Sequence, residues 1–138
     1  MSGLTPERHS LLEQARWAAR NAYAPSSGFR VGAVIVSAGG RMFTGANVEN
    51  ASCGLSICAE RVALFKAVSE GERDFTELAV VAEADGGEAD APPCGACRQV
   101  LSEFSPALKV TYRSQGGYVT RPLTELLPDT FDNKENSD

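Results

Sequence analysis

The sequence has few basic residues, a single histidine and no long apolar run. Its 13 Lys and Arg residues are outnumbered by 18 Asp and Glu residues, which gives a formal net charge of -5. Proteins that bind nucleic acid rely on lysine and arginine to neutralise phosphates, so this balance argues against a polynucleotide substrate. Nor does any apolar run approach the roughly 18 residues that a membrane span needs. We therefore expect a small, neutral or weakly charged partner, and neither nucleic acid nor membrane.

The chain also starts without the pattern of a targeting segment. Residues 1–6 contain no basic region followed by an apolar one, so we expect neither a secretory signal nor a transit peptide. The cytoplasm is then the expected location. Because that compartment keeps thiols reduced, the four cysteines are expected to be metal ligands more often than disulfide partners.

The pattern of apolar residues and turn signals predicts a single domain over residues 1–131. It predicts helices over 5–23, 58–70, 94–104 and 123–127, and strands over 31–37, 41–44, 78–82, 108–112 and 118–120. This order predicts an α/β fold in three layers, α/β/α, with a five-stranded mixed sheet. The acidic segment 84–93 is predicted to be a surface loop, and residues 132–138 a polar C-terminal tail.

Three of the four cysteines lie in two separated motifs. Cys58 begins the segment Cys-Ala-Glu-Arg, and Cys94 and Cys97 form a Cys-Gly-Ala-Cys pair that follows a proline. Such a pair can share one tetrahedral zinc ion, and a third thiolate from Cys58 would leave the fourth position open. Three protein ligands and an open position are typical of a catalytic zinc, with Glu60 as the candidate general base beside a bound water.

Together with three further segments, these motifs resemble the zinc-dependent cytidine deaminases of the small homotetrameric type. The resemblance runs from about residue 22 to residue 131. It includes Phe-Arg-Val-Gly-Ala at 29–33, Thr-Gly-Ala-Asn-Val-Glu-Asn-Ala-Ser at 44–52 and Glu-Leu-Leu-Pro at 125–128. Several motifs in the same order are far more specific than one Cys-X-X-Cys pair.

The resemblance implies a hydrolytic enzyme of pyrimidine salvage. Such an enzyme converts cytidine or deoxycytidine to uridine or deoxyuridine and releases ammonia. One Zn²⁺ per subunit, held by Cys58, Cys94 and Cys97, would activate a water, and Glu60 would be the proton shuttle. The substrate-binding residues that the resemblance implies are Phe29, Asn47, Glu49, Ala59 and Phe131.

The family assigns different roles to these substrate-binding residues. Asn47 and Glu49 match residues that hydrogen-bond the ribose hydroxyls, and Phe29 matches an aromatic residue that lies against the pyrimidine ring. Phe131 matches a C-terminal aromatic residue that reaches the site of a neighbouring subunit. The resemblance thus implies a homotetramer, with a dimer as the alternative, in which active sites are shared between subunits.

Two arginines, Arg61 and Arg98, closely follow the ligand cysteines. Three thiolates give a zinc centre a net negative charge, which weakens its acidification of a bound water. A hydrogen bond from either guanidinium to a ligand sulfur would withdraw some of that charge. Each arginine could instead make an ordinary surface salt link.

Three positions depart from the family pattern. Ser26 and Cys53 stand where the family usually has tyrosine, and Arg30 replaces a residue that is generally small or proline. The loss of two large rings suggests a roomier pocket that accepts cytosine nucleosides with larger base or sugar substituents. Cys53 is expected to be a small buried residue, or else a further thiol near the metal.

Two other functions fit part of the pattern. A deaminase of aminoacyl-nucleoside antibiotics of the blasticidin type shares the Cys-Ala-Glu and Pro-Cys-Gly-X-Cys motifs. The segment from Asn47 to Ala51, which is fitted to a ribose, favours the nucleoside enzyme instead. A zinc-stabilised binding module without catalysis would have no use for Glu60 or for an open metal position.

Overall fold

The computed structural model describes residues 3–131, so the predicted tail at 132–138 lies outside the described residues. Within this range the α-helices are Pro6–Ala19 (α1), Ala59–Ser69 (α2), Gly95–Phe104 (α3) and Leu123–Leu126 (α4). The strands are Arg30–Ser37 (β1), Met42–Ala46 (β2), Phe75–Ala84 (β3), Gly87–Ala89 (β4), Lys109–Ser114 (β5) and Gly117–Pro122 (β6). A short 3-10 turn, Cys53–Leu55, lies between β2 and α2. None of the helices among residues 3–131 has the length and apolar character that crossing a membrane requires.

All of these strands belong to one mixed sheet, whose main path runs β2-β1-β3-β5-β6. β1 pairs antiparallel with β2 and β3, β3 pairs parallel with β5, and β5 pairs antiparallel with β6. The predicted α/β fold with a mixed sheet is confirmed. β3 lies in the middle of the sheet with both faces covered, so alternate apolar side chains along it face opposite helical layers.

One strand lies inside the segment 84–93, which was predicted to be a surface loop. Ala84 pairs with Gly87 across a two-residue turn, and β4 extends the sheet beside the end of β3. The turn residues Asp85 and Gly86 have φ angles of 52° and 80°, the left-handed conformation that Asp-Gly turns favour in tight hairpins. The five predicted strands are those of the main path. The loop prediction was wrong at β4 because a three-residue strand is too short to show an alternating pattern.

Helices cover both faces of the sheet. On one face, α1 packs against β1 and β3 through a cluster formed by Leu11, Leu12, Ala15, Val34, Ala79 and Val81. On the other face, α2, α3 and α4 contribute to a larger cluster that includes Leu64, Leu101, Leu123, Ile35 and Val80. The predicted three-layer arrangement is therefore confirmed, and it places α2 and α3 side by side on the same face.

The predicted length of α1 was too great. The helix ends at Ala19, whereas the apolar periodicity extended it to about Tyr23. Tyr23 instead donates its backbone N–H to the carbonyl oxygen of Asn47 at 2.9 Å and pairs with Val48 in an isolated bridge. This bridge fixes the chain after α1 beside the segment that follows β2, where Asn47 is a predicted site residue.

Two glycines allow helices to approach the sheet closely. A Cβ atom on Gly45 of β2 would lie 2.5 Å from the backbone nitrogen of Ala63 and 2.6 Å from the carbonyl oxygen of Ala59, both in α2. On the opposite face, a Cβ atom on Gly32 of β1 would lie 2.0 Å from the carbonyl oxygen of Ala15 in α1. Because these neighbours are backbone atoms, they cannot rotate away. The distance of α2 from the sheet therefore depends on the absence of a side chain at Gly45.

Replacing Gly45 with alanine should lower the free energy of unfolding by about 3 kcal/mol, because α2 must move away from β2 to admit the methyl group. Urea unfolding followed by circular dichroism measures this change. Gly117→Ala is the matched control, since a Cβ atom there meets no atom within 4 Å. The control should stay within about 1 kcal/mol of the unmodified chain. Equal stability of the two variants would contradict the close approach of α2.

Candidate active site

The N-terminal ends of α2 and α3 bring three thiols together. Cys58 is the residue before α2 and Cys94 the residue before α3, while Cys97 lies in the first turn of α3. All three Sγ atoms lie within 4.8 Å of one another. The Sγ atom of Cys94 is 3.9 Å from that of Cys58 and 3.3 Å from that of Cys97. Unpaired N–H groups at two helix N-termini favour negative charge at this point.

The positions and chemistry of the three sulfurs fit a zinc ion. Sulfurs at about 2.3 Å from a tetrahedral zinc lie about 3.8 Å from one another, close to the separations in the cluster. Thiolates are soft ligands, which select zinc over magnesium or calcium. Cys97 is buried, Cys58 is half-buried and Cys94 is exposed, so one side of the cluster is accessible to solvent. The three predicted ligands are therefore placed together in the fold.

Hydrogen bonds and burial set the charges of the cluster. The Cys58 sulfur accepts hydrogen bonds from Cys97 and from Arg61, and they lower the pKa of the Cys58 thiol to about 5. The Cys97 thiol is the donor in its hydrogen bond with Cys58, and this bond, together with burial, raises the pKa of Cys97. The thiolate is the form that binds metal, so the cluster presents at least one ready ligand at neutral pH.

Arg61 contacts a ligand sulfur, as its position after Cys58 suggested. Its Nη2 donates to Cys58 Sγ at 3.4 Å, and its hydrogen bonds to Cys58 and Cys97 raise the pKa of Arg61 further above its ordinary value. Arg61 Nε is buried and has no hydrogen-bond partner among the described residues. The guanidinium is thus directed at the sulfur cluster.

Arg98 makes different contacts from those predicted. Its Nε donates to the carbonyl oxygen of Pro93 at 2.7 Å, and its Nη1 donates to the carbonyl oxygen of Leu126 at 2.7 Å. Neither contact is with a ligand sulfur or with an acidic side chain, so they match neither of the two roles considered for Arg98. The side chain ties the segment before Cys94 to the end of α4, because its guanidinium lies against backbone carbonyls.

Glu60 lies in the first turn of α2 and lines the same cleft as Cys58. Residues two apart on a regular helix point in different directions. Cys58, however, has an extended backbone with φ -77° and ψ 152°, so it precedes the helical spiral and the two side chains converge. Glu60 is only 5% exposed, and this burial raises the pKa of its carboxyl group to about 7. A carboxyl group with a pKa near neutrality can both accept and donate a proton.

The sulfur cluster opens into a cleft of about 280 Å³. The residues that line it are Phe29, Val31, Asn47, Cys58, Ala59, Glu60, Asp90, Ala91, Pro92 and Cys94. Three of the predicted substrate-binding residues, Phe29, Asn47 and Ala59, thus lie beside the ligand cysteines and Glu60. Phe29 is half-buried and packs against the larger core cluster.

Asn47 fixes the backbone between the cleft residues Phe29 and Val31. Its Oδ1 accepts a hydrogen bond from the N–H of Val31 at 2.8 Å, and its Nδ2 donates to the carbonyl oxygen of Phe29 at 2.9 Å. The amide side chain therefore connects the segment after β2 to the start of β1. Asn47 is held at the edge of the cleft by these two bonds.

Glu49 is not among the residues that line the cleft. Its carboxylate accepts a hydrogen bond from the hydroxyl of Ser27, and from the backbone N–H groups of Ser26 at 2.9 Å and Ser27 at 3.3 Å. These bonds lower the pKa of Glu49. Glu49 therefore holds the loop that leads to Phe29.

The two positions at which the family usually has tyrosine both lie outside the cleft. Ser26 and Cys53 are exposed, and neither is among the lining residues. The expectation that Cys53 is buried was wrong, because the residue begins the exposed 3-10 turn between β2 and α2. Its thiol does not belong to the sulfur cluster.

Phe131 is 74% exposed and also lies outside the lining of the cleft. Its backbone is fixed on α3, because its N–H donates to Gln99 Oε1 at 3.2 Å and its carbonyl oxygen accepts from Gln99 Nε2 at 2.8 Å. The backbone at Phe131 is thus held beside Gln99, two residues after Cys97, while the aromatic ring remains largely exposed.

One wall of the cleft was not predicted. Asp90, Ala91 and Pro92 line it, although they belong to the segment that was predicted to be a surface loop. Their position in the sequence could have indicated that these residues lie at the site. Residues that come directly before Pro93 and the ligand Cys94 must lie close to the metal cluster.

Comparison with known proteins agrees with this geometry. Residues 5–113 match the family described as the cytidine and deoxycytidylate deaminase zinc-binding region. A cytidine deaminase from Halalkalibacterium halodurans is 46% identical over 134 residues, which cover 96% of this chain and 99% of that protein. The crystal structure of a cytidine deaminase from Burkholderia pseudomallei has a TM-score of 0.81 and 47% identity, over 93% of this chain and 100% of that chain. A blasticidin-S deaminase from Bacillus cereus is 31% identical over 103 residues, 71% of this chain and 74% of that protein.

We predict that the chain binds one zinc ion and that each of Cys58, Cys94 and Cys97 is needed for it. Replacing any one of them with alanine should weaken zinc binding at least about 100-fold, because only two sulfur ligands remain. Competition with a chelator, read by mass spectrometry of bound zinc, measures the affinity. Cys53→Ser is the matched control and should keep a full zinc content. A Cys58 variant that retains one tightly bound zinc per chain would contradict the assignment.

Proposed function

Because the chain belongs to the cytidine and deoxycytidylate deaminase family, we propose that it is a zinc-dependent enzyme that deaminates cytidine and deoxycytidine. The reaction adds water at C4 of the cytosine ring and releases ammonia, giving uridine or deoxyuridine. The observation that carries the proposal is the convergence of Cys58, Cys94, Cys97 and the buried Glu60 on one cleft. A binding module without catalysis gives no reason to bury a carboxyl group beside three metal-ligating thiols.

The metal and Glu60 would divide the chemistry between them. Cys58, Cys94 and Cys97 would hold the zinc ion, whose Lewis acidity would help a water molecule to lose a proton and become the nucleophile. Glu60 would take up the proton that this water loses and deliver it to N3 of the ring, and it would then carry the proton of the new C4 hydroxyl group to the departing amine. The raised pKa of Glu60, about 7, fits a group that is charged before this transfer and neutral during it.

Arg61 would support the same chemistry through Cys58. Three thiolates leave a net negative charge on the zinc centre, which opposes the release of a proton from the water. The hydrogen bond from Arg61 Nη2 to Cys58 Sγ withdraws part of that charge. The arginine thereby favours the ionised form of the nucleophile.

The charges around the cleft support a free nucleoside as the substrate. Its lining includes the acidic residues Glu60 and Asp90, and contains no lysine or arginine among the described residues. A phosphate group would be repelled there and would find no basic partner. The cleft therefore suits a neutral base and sugar, and substrates with a 5'-phosphate should be poor.

Asn47 and Glu49 are proposed to bind the ribose, although both have other partners in this structure. Asn47 already lines the cleft, so its amide needs only to share its hydrogen bonds with a sugar hydroxyl. Glu49 has a carboxylate engaged by Ser26 and Ser27, and it must shift part of that contact to reach the sugar. Both residues also hold the loop of Phe29, so each would affect binding of the base as well as of the ribose.

The assembly that we propose is a homotetramer with active sites shared between subunits. The support is Phe131, whose backbone is fixed on α3 while its ring is 74% exposed. A large apolar ring held in solvent is well suited to contact a second subunit. We also propose a cytoplasmic location and a role in pyrimidine salvage, since a reducing compartment keeps the three thiols available to zinc.

Replacing Glu60 with glutamine should lower kcat for cytidine by about 10³-fold or more, because the amide cannot carry protons. Ammonia release and the change in ultraviolet absorbance, with and without a chelator, measure the rate on cytidine, deoxycytidine and cytidine monophosphate. Glu70→Gln at the exposed end of α2 is the control and should keep full activity. Zinc content should be unchanged in both variants. Substantial turnover by Glu60→Gln would overturn the role of this residue, and an inactive unmodified chain that binds zinc would overturn the proposed function.

If Phe131 completes the site of a neighbouring subunit, Phe131→Ala should raise KM for cytidine about tenfold while leaving zinc content unchanged, because the lost ring contacts substrate and not the metal. Light scattering after size-exclusion chromatography gives the assembly, which should be a tetramer for the unmodified chain. Thr130→Ala, an exposed position on the same segment, is the control. A monomer that turns over cytidine at the full rate would exclude the shared site.

A further inference from the structure

The wall of the cleft that precedes the ligand Cys94 belongs to no helix or strand. This cleft wall, residues 90–93, connects β4 to α3 in an irregular conformation. Two of its four residues are prolines, which have no backbone N–H to donate. The lining residues that it contributes are Asp90, Ala91 and Pro92. Its position must therefore be set by contacts from neighbouring elements.

The turn of the β5–β6 hairpin makes the first of these contacts. Asp90 Oδ2 accepts a hydrogen bond from the N–H of Gln115 at 3.0 Å, and Oδ1 accepts one from the N–H of Gly116 at 3.1 Å. Both turn residues have positive φ angles, 53° and 84°, in a tight hairpin closed by strand pairing. Successive N–H groups in such a turn form a concave site for an anionic oxygen. The carboxylate of Asp90 thus joins the wall to a turn of fixed geometry.

Arg113 makes the second set of contacts to the same segment. Its Nη1 lies 3.7 Å from Asp90 Oδ1 and donates to the carbonyl oxygen of Glu88 in β4. The carbonyl oxygen of Arg113 accepts a hydrogen bond from the N–H of Ala91 at 3.0 Å. Ala91 is only 8% exposed and belongs to the larger core cluster. Arg113 therefore holds the wall on both sides of Asp90.

We propose that Asp90 and Arg113 are positioning residues for the deaminase reaction, which fix the cleft wall against the β5–β6 hairpin and so set the shape of the substrate cleft. This inference rests on the proposed function, since binding of cytidine is what it affects. The residues act through Ala91 and Pro92, which line the cleft. They neither ligate the metal nor transfer protons, so their loss should weaken substrate binding more than it slows the chemical step.

If Asp90 contacted the substrate directly, replacing Asp90 would also weaken substrate binding. Arg113 separates the two possibilities, because it is not among the residues that line the cleft and yet it holds the same segment. If Asp90 acts by position, loss of Arg113 must reproduce the effect. If Asp90 contacts the substrate itself, loss of Arg113 should have little effect on KM.

The test compares steady-state kinetics on cytidine for zinc-loaded Asp90→Ala, Arg113→Ala and the double variant. We expect Asp90→Ala to raise KM about tenfold and Arg113→Ala about threefold or more, with kcat within about twofold of the unmodified enzyme. The rise in the double variant should be close to that of Asp90→Ala alone, because both residues hold one segment. Asp90→Asn keeps an oxygen for one turn amide and should raise KM only about threefold, and this variant decides the matter if Asp90→Ala does not fold.

The control is Glu13→Gln, which removes a carboxylate that pairs with Arg16 at 3.2 Å on α1, across the sheet from the cleft. It should leave KM and kcat unchanged. An unchanged KM in Asp90→Ala, or a rise in that variant without one in Arg113→Ala, would overturn the inference. So would a fall in kcat with loss of zinc at constant KM.

Amide exchange provides a readout that does not depend on turnover. The N–H of Ala91 should exchange with solvent faster in both Asp90→Ala and Arg113→Ala than in the unmodified enzyme or in Glu13→Gln, because the wall is then less firmly held. Unchanged protection of Ala91 in both variants would overturn the inference. If the unmodified enzyme has no activity on cytidine, the proposed function fails, while this arm still tests whether the wall is positioned as described.

Discussion

Three sulfur atoms are held within 4.8 Å of one another, and all three must be ionised to bind a metal ion. Several other features of the structure stabilise that arrangement. Like charges at such distances repel strongly unless opposite charge lies nearby. Two helix N-termini, the Arg61 guanidinium and the cation that the sulfurs are suited to bind provide that compensation. The helices α2 and α3 can meet in this way because both pack on the same face of one sheet. The fold that buries the core thus also supplies the groups that compensate the charge of the cluster.

The placement of Glu60 follows from the same requirement. Cys58 and Glu60 lie on either side of Ala59 at the start of α2, so the first turn of a single helix sets the separation of the Cys58 thiol from the Glu60 carboxyl group. Cys94 and Cys97 come from a different helix and do not determine that separation. Burial raises the pKa of the Glu60 carboxyl group to about 7, so that both its neutral and its charged form are populated near neutral pH, as the proposed proton shuttle requires.

Much of the fold and the chemical centre could be predicted from the sequence, because metal ligation permits few residue types at fixed spacing and apolar periodicity is strong in long elements. The parts that could not be predicted depend on contacts between distant residues. The partners of Asp90 lie in the turn at Gln115, and nothing near Asp90 in the chain indicates them. The contact of Arg98 with the carbonyl oxygen of Leu126 follows from where α4 packs, and the position of Arg98 after Cys97 does not indicate it. The exposure of Cys53 likewise depends on a 3-10 turn that has no apolar pattern.

Gly32 and Gly45 lie on neighbouring strands, paired with Ala46 and Ala33 respectively, and seat α1 and α2 on opposite faces of the sheet. At that point α1 touches β1 and α2 touches β2 backbone to backbone, with no deformable layer of side chains between helix and strand. The four elements form a short stiff column through the protein, and its far end is the peptide of Ala59 between the Cys58 thiol and the Glu60 carboxyl group. A loosening of α1, far from the cleft, would be transmitted along that column as a displacement of the reaction centre.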